Sequence, residues 1–191
     1  MKPRYGITDK LPRHDYNALC RDWWTDVRSL TSRADDVQVI KSSFWANGVR
    51  VSDSFCSELY SYYSTADAYT LYDDVIPCLQ RLSRAGVVMG VISDFDERLE
   101  GILKGLGVSS YIAFIVQSFV EGYSKPSKEL WTAAVAQAGG RVDQGWHVGD
   151  DPRKDAFEDA TTIIIDRSGA ITTDLQKIAS LEQLPQLLKI P

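Results

Sequence analysis

Apolar residues in the N-terminal part of the chain recur at spacings of three and four. Between His14 and about Ser32 they fall at Tyr16, Leu19, Cys20, Trp23, Trp24, Val27 and Leu30, which marks an amphipathic helix with one strongly aromatic face. Two further helical stretches follow, Val37 to Trp45 and Asp53 to Tyr63. Asp35 or Asp36 offers an N-cap for the first, and Ser52 for the second. The first third of the chain is therefore predicted to be all helical.

The texture changes after Ser64. Thr65-Ala66-Asp67-Ala68-Tyr69 leads into a predicted helix from Asp73 to Arg84 and then into the apolar run Val87-Val88-Met89-Gly90-Val91-Ile92, which reads as a buried parallel strand. Helix Asp96 to Leu106, strand Ile112 to Val116, helix Pro126 to Ala138, and strands Trp146 to Val148 and Thr162 to Ile165 continue the pattern. Strands alternating with helices specify an α/β fold with a parallel, helix-covered sheet. No repeat or low-complexity segment interrupts it, and the one linker-like stretch lies near residues 64–69.

At 191 residues, with 44% hydrophobic and 25% charged residues, the chain is globular in composition and long enough for one core plus a smaller module. Its net charge of -5 comes with no lysine or arginine run, so it lacks the electrostatic footprint of a nucleic-acid binder. Cys20, Cys56 and Cys78 are widely spaced and form no Cys-x-x-Cys pair, which reads as reduced, buried thiols. The start lacks a signal-peptide core, and no 18-residue uncharged apolar run occurs. These features predict a soluble, intracellular, cytoplasmic protein with no membrane partner.

Ligands of open parallel sheets sit at the carboxyl ends of strands, and three such ends carry informative groups. Ser93 follows the apolar run; its hydroxyl can hold a phosphate oxygen, or it can simply cap the next helix. Lys125, in Gly122-Tyr123-Ser124-Lys125-Pro126, is held extended by the following proline and can neutralise a phosphate, or it can be an ordinary solvated lysine. Gly149-Asp150-Asp151, with Asp155 following, clusters hard oxygen ligands suited to magnesium. The bland alternative is a glycine turn in which Asp151 caps a helix and Asp155 lies on a solvated face. His147 reads as a core or edge histidine and His14 as a helix-opening residue, neither with a catalytic role.

In order, Ser93 after its strand, Gly122-x-x-Lys125-Pro126, and Gly149-Asp150-Asp151 followed by Asp155 resemble the second, third and fourth motifs of the haloacid dehalogenase superfamily. The ordered set is far more specific than its parts. The string Val91-Ile92-Ser93-Asp94-Phe95-Asp96-Glu97-Arg98-Leu99-Glu100-Gly101-Ile102-Leu103-Lys104-Gly105-Leu106-Gly107, together with Trp23-Trp24, is similar to one capped subgroup of that superfamily. The resemblance spans nearly the whole chain. It implies a helical cap over residues 1–66 that covers the site and selects substrate, and a Rossmann-like core over residues 67–191. It further implies a magnesium-dependent hydrolase of phosphatase type, acting on a small phosphorylated molecule through an aspartyl-phosphate. Ser93, Asp94 and Lys125 would hold the phosphate, Asp150 and Asp151 the Mg2+, and Asp155 would support them.

The chain also departs from that pattern. The superfamily's first strand ends in Asp-x-Asp, one aspartate attacking phosphorus and the other acting as general acid. That strand should precede the cap, yet Met1-Lys2-Pro3-Arg4-Tyr5 already reads as cap-like sequence. Asp94-Phe95-Asp96 offers only a superficial replacement, because Ser93 already fills the second-motif position. The missing strand would lie centrally, between those ending at Ser93 and Asp150, and its loss forfeits three or four buried apolar side chains at about 1.5–3 kcal/mol each. After Asp155, the segment Ala156 to Thr162 is short by about one helical turn, roughly four residues. A truncated gene model or splice product would give both departures, as would a decaying paralogue. The chain is accordingly expected to be an incomplete, inactive relative; the alternative is a non-catalytic pseudoenzyme that binds phosphate, metal or a partner.

Overall fold

The computed structural model describes residues 33–141 and 145–190. The helix expected from His14 to Ser32 lies outside the described residues. The chain divides after Tyr63 into two compact units.

In the first unit, α1 (Arg33–Ala46) and α2 (Asp53–Tyr63) pack through Val37, Ile40, Phe44 and Cys56. Phe44 meets Phe55 edge-on, with ring centroids 5.7 Å apart. The second helix begins where Ser52 was expected to start it: the Phe55 N–H donates to Ser52 Oγ at 3.2 Å. The expected Asp35 or Asp36 cap is corrected, because α1 already contains both positions.

The second unit is α/β. Its elements are α3 (Val75–Arg84), β1 (Gly90–Ser93), α4 (Arg98–Gly105), β2 (Phe114–Gln117), α5 (Ser118–Glu121), α6 (Lys128–Gln137), β3 (Trp146–Gly149), β4 (Thr161–Ile165), β5 (Gln176–Ile178) and α7 (Leu184–Leu187). All strand pairs are parallel. Gly90 pairs with Phe114 between β1 and β2, Trp146 with Thr161 between β3 and β4, and Ile163 with Gln176 between β4 and β5. Among the described residues these pairings form two separate sheets, β1-β2 and β3-β4-β5.

The run Val87 to Ile92 does not form the buried strand its composition predicts. Only Gly90 onward is strand, β1 is at most half-buried, and Val88 is 58% exposed. The physical reason is position: among the described residues β1 has a hydrogen-bonded neighbour on one side only. The doubly covered strand is β4, where the adjacent residues Ile163 and Ile164, which point to opposite faces, are both fully buried.

Two apolar clusters cover these sheets. Leu130, Trp131, Ala134 and Val135 of α6 pack with Val116, Phe157 and the partly buried Ile92. Cys78 and Leu82 of α3 pack with Ile163, Ile178 and Leu184. Cys56 and Cys78 are buried free thiols, and burial pushes both above the usual thiol range. No described helix is long and apolar enough to cross a membrane.

A clamp ties the start of α3 to the loops beyond β4 and β5. The Asp74 carboxylate accepts from Arg167 Nη1 at 2.7 Å and Nη2 at 2.9 Å, from Ser180 Oγ at 2.8 Å and from the Leu181 N–H at 2.9 Å. Arg167 also lies 3.9 Å from the Tyr72 ring centroid. The Arg167 hydrogen bonds, aided by Ser180 and Leu181, outweigh burial and hold the Asp74 carboxyl well below the usual carboxylate range.

A depressed carboxyl stabilises the fold above its unfolded pKa, and that stabilisation is lost as pH falls through the folded value. Asp74→Ala is therefore predicted to lower unfolding free energy by about 2–3 kcal/mol at pH 7. Urea melts should show the gap to wild type narrowing as pH falls below about 4 and closing only well below it; a gap that is unchanged there would rule out the charged clamp as its source.

Candidate functional site

The C-terminal ends of β1, β2 and β3 feed three loops that meet around Lys125. Its backbone N–H donates to Asp94 Oδ1 at 3.0 Å, tying the loop beyond β2 to the end of β1. Its ammonium lies 2.5 Å from Asp155 Oδ1, tying the same loop to the turn after β3. Lys125 is thus not the solvated lysine of the bland reading: its side chain is 17% exposed and that of Asp155 1%.

Asp155 is the convergence point. Oδ1 also receives His147 Nε2 at 3.1 Å, and Oδ2 receives the Asp151 N–H at 2.9 Å. Since the acceptor is a carboxylate, Nε2 is the protonated nitrogen of this histidine. Burial by itself raises the Asp155 carboxyl, but the bonds from His147, Lys125 and Asp151 more than offset it and hold the group well below its usual range. His147 is buried, with its ring edge-on to Phe157 at 4.8 Å. It is the core histidine the sequence indicated, and it has in addition a polar partner that the sequence reading did not assign.

Gly149 ends β3 directly against this carboxylate. A β-carbon at that position would overlap Asp155 Cγ and Oδ2, so the glycine is required by close approach. The turn that follows contains no helix among the described residues, from Asp150 to the start of β4. Thus Asp151 does not cap a helix; its Oδ1 accepts from the Arg153 N–H at 2.9 Å. Phe157 from this segment fills the space against Trp131, with stacked rings 5.5 Å apart.

The remaining candidates are placed as follows. Ser93 ends β1, half-buried, and is not a helix cap: α4 begins at Arg98, whose N–H donates to Asp96 Oδ1 at 3.1 Å. Asp96 is buried, and Arg98 Nε approaches its two oxygens at 2.7 and 3.0 Å. Asp94 Oδ2 is buried without a hydrogen-bond partner, with the Lys154 ammonium 3.9 Å away. Asp150 is exposed at the end of β3.

Magnesium keeps several waters and takes one or two protein carboxylates together with substrate phosphate. Among the described residues no group of three or more His, Cys, Asp or Glu side chains is placed to hold a metal. Asp150, a solvent-facing hard oxygen donor at a strand end, fits a single carboxylate ligand to such a hydrated ion; Asp151 has one oxygen already engaged by Arg153.

A family profile described as haloacid dehalogenase-like hydrolase matches residues 8–157. Haloacid dehalogenase-like hydrolase domain-containing protein 3 of Xenopus laevis is 30% identical over 152 residues, covering 78% of this chain and 54% of that protein. The chain spans about half the length of the curated relatives it matches. A phosphatase of the same fold from Thermococcus onnurineus superposes with a TM-score of 0.68 at 16% identity, covering 93% of this chain and 79% of that one. The L-2-haloacid dehalogenase of Xanthobacter autotrophicus, with chloropropionic acid covalently bound, gives a TM-score of 0.70 at 12% identity, covering 97% and 96%.

The packing of Asp155 on Gly149 sets up a coupled pair. Asp155→Ala, which leaves the Lys125 ammonium without its buried counter-charge, is predicted to cost about 3–5 kcal/mol. Gly149→Ala should be destabilising in the wild-type background and nearly neutral in Asp155→Ala, where the colliding carboxylate is gone. Equal effects of Gly149→Ala in the two backgrounds, measured by denaturant melts, would show that the contact is not what requires glycine.

Proposed function

The chain belongs to the haloacid dehalogenase-like hydrolase family, and we propose on that premise that its second unit is the phosphate-binding core of a magnesium-dependent phosphohydrolase for a small phosphate ester. The observation that carries this reading is the placement of Lys125. Asp155, itself held by His147, orients its ammonium, and its backbone N–H rests on Asp94 at the end of β1; a cation fixed in this way suits electrostatic stabilisation of a transferring phosphoryl group. The matched folds include both a phosphatase and a dehalogenase, so fold alone does not choose the substrate.

In this reading the Ser93 hydroxyl donates to a phosphate oxygen, Lys125 balances its charge, and Asp155 with His147 keeps Lys125 from relaxing into solvent. Asp150, with or without Asp151, would hold the magnesium ion, which supplies charge screening of the phosphate. The helical first unit serves as the cap.

The attacking carboxylate is the missing part. Asp94-Phe95-Asp96 is the one Asp-x-Asp in the sequence; Asp96 is engaged through both oxygens by Arg98, while Asp94 accepts the Lys125 N–H through Oδ1 and its other oxygen, Oδ2, is buried. Neither fits the role of a free nucleophile. The separation of β1-β2 from β3-β4-β5 supports a place for a further parallel strand bearing that motif. Residues 1–191 by themselves are then a binding site without turnover, and a non-catalytic phosphate-binding role rests on the same observations.

Residues 1–191 are predicted to bind inorganic phosphate saturably, with affinity falling at least tenfold in Lys125→Gln, and to leave a generic phosphate ester unhydrolysed. Fusing an apolar strand ending in Asp-x-Asp to the N-terminus should create magnesium-dependent turnover that Asp150→Asn abolishes. Robust hydrolysis by residues 1–191 alone, lost in Asp94→Asn, would overturn the assignment of the missing nucleophile.

A further inference from the structure

Among the described residues of the second unit, one buried side-chain polar atom has no hydrogen-bond donor: Asp94 Oδ2. A desolvated carboxylate oxygen without a partner costs about 1–3 kcal/mol or more and calls for an explanation. Its surroundings supply one. The other oxygen of the same carboxylate accepts the Lys125 N–H at 3.0 Å. The Lys154 ammonium, half exposed and on a flexible stem, stands 3.9 Å from Oδ2, within ion-pair reach and just beyond a hydrogen bond. A backbone N–H at a strand-end loop and a mobile ammonium are the donor types that bind phosphate. Here a carboxylate of the protein's own already lies against both.

Charge bears on the same point. In these loops the carboxylates Asp94, Asp150, Asp151 and Asp155 outnumber the cations Lys125, Arg153 and Lys154, and Lys125 is already committed to Asp155. A free phosphate dianion entering beside Ser93 therefore meets a like charge one residue away, in a partly desolvated setting where repulsion is weakly screened.

We propose that Asp94 is a specificity-determining residue, an internal anion that competes with phosphate for the Lys125 N–H and the Lys154 ammonium and so weakens the site for free phosphate dianions. This deepens the phosphate-site reading above and rests on it. Asparagine at this position keeps the Oδ1 acceptor for Lys125, removes the charge and releases Lys154 to a ligand.

The test is calorimetric titration of residues 1–191 with inorganic phosphate, without divalent metal, using wild type, Asp94→Asn, Asp94→Ser and Asp94→Asn/Lys154→Gln, with thermal melts to verify folding. Asp94→Asn is expected to bind phosphate at least tenfold more tightly than wild type, and the added Lys154→Gln to reverse most of that gain. Should Asp94→Asn not fold, Asp94→Ser carries the same expectation. Binding in wild type that neither Asp94 variant tightens would overturn this inference and leave the phosphate site standing. No binding by any variant would overturn both.

Discussion

A carboxylate that is almost completely removed from solvent, Asp155, constrains the second unit more than any other group. Left unpaired it would be too costly to bury, so the structure around it is arranged as a set of donors: Lys125 from the loop beyond β2, His147 from within β3, and the Asp151 N–H from the turn that follows β3. Gly149 is glycine because that carboxylate needs the space. Thr162 Oγ1 donates to the Asp155 carbonyl at 3.3 Å, so even the start of β4 is fixed from the same residue. Removing any one donor leaves the remaining charges in a medium that solvates them poorly. For that reason Lys125 and His147 act as parts of one object.

Local signals were legible in the sequence wherever the physics is local. Ser52 announced α2, and the 3.6 and near-continuous apolar periodicities separated a helical first part from an α/β second part. The ordered set Ser93, Lys125, Asp150 and Asp155 marked successive strand ends, of which the structure joins the loop of Lys125 to Asp94 and Asp155. Burial was less legible. The run from Val87 to Ile92 is only partly buried, with Val87 and Met89 packed on the α3 cluster, and the sequence does not reveal that among the described residues β1 has a neighbour on one side only. The segment beyond Asp155, short by about one helical turn in the sequence, contains no helix among the described residues, but nothing in the sequence showed that Phe157 would fill the space against Trp131.

Long-range polar pairing was the least legible. Asp74 and Arg167 lie in different elements far apart along the chain, and no spacing rule joins them. Arg98 is two residues from Asp96, yet the bidentate pairing depends on a local turn that composition does not specify. For His147 a signal did exist: a histidine inside an otherwise apolar strand must find a partner, and an acid in the following turn is an obvious one. These pairings matter to function by exclusion, since they show which carboxylates the fold has already used.

The division of the strands into two sheets has a mechanical consequence. Among the described residues the ladder of β1 and β2 does not run into that of β3, β4 and β5, although apolar packing crosses between them, with Phe157 in the α6 cluster and Val87 and Met89 against the α3 cluster. What joins them at the functional end is side-chain chemistry, chiefly the Lys125 bridge from Asp94 to Asp155. Anything that binds across this bridge and not to the unfolded chain stabilises the folded unit by mass action. A phosphate held by groups from both sides would therefore act as a fastener, so that recognising a ligand and completing the fold become the same event.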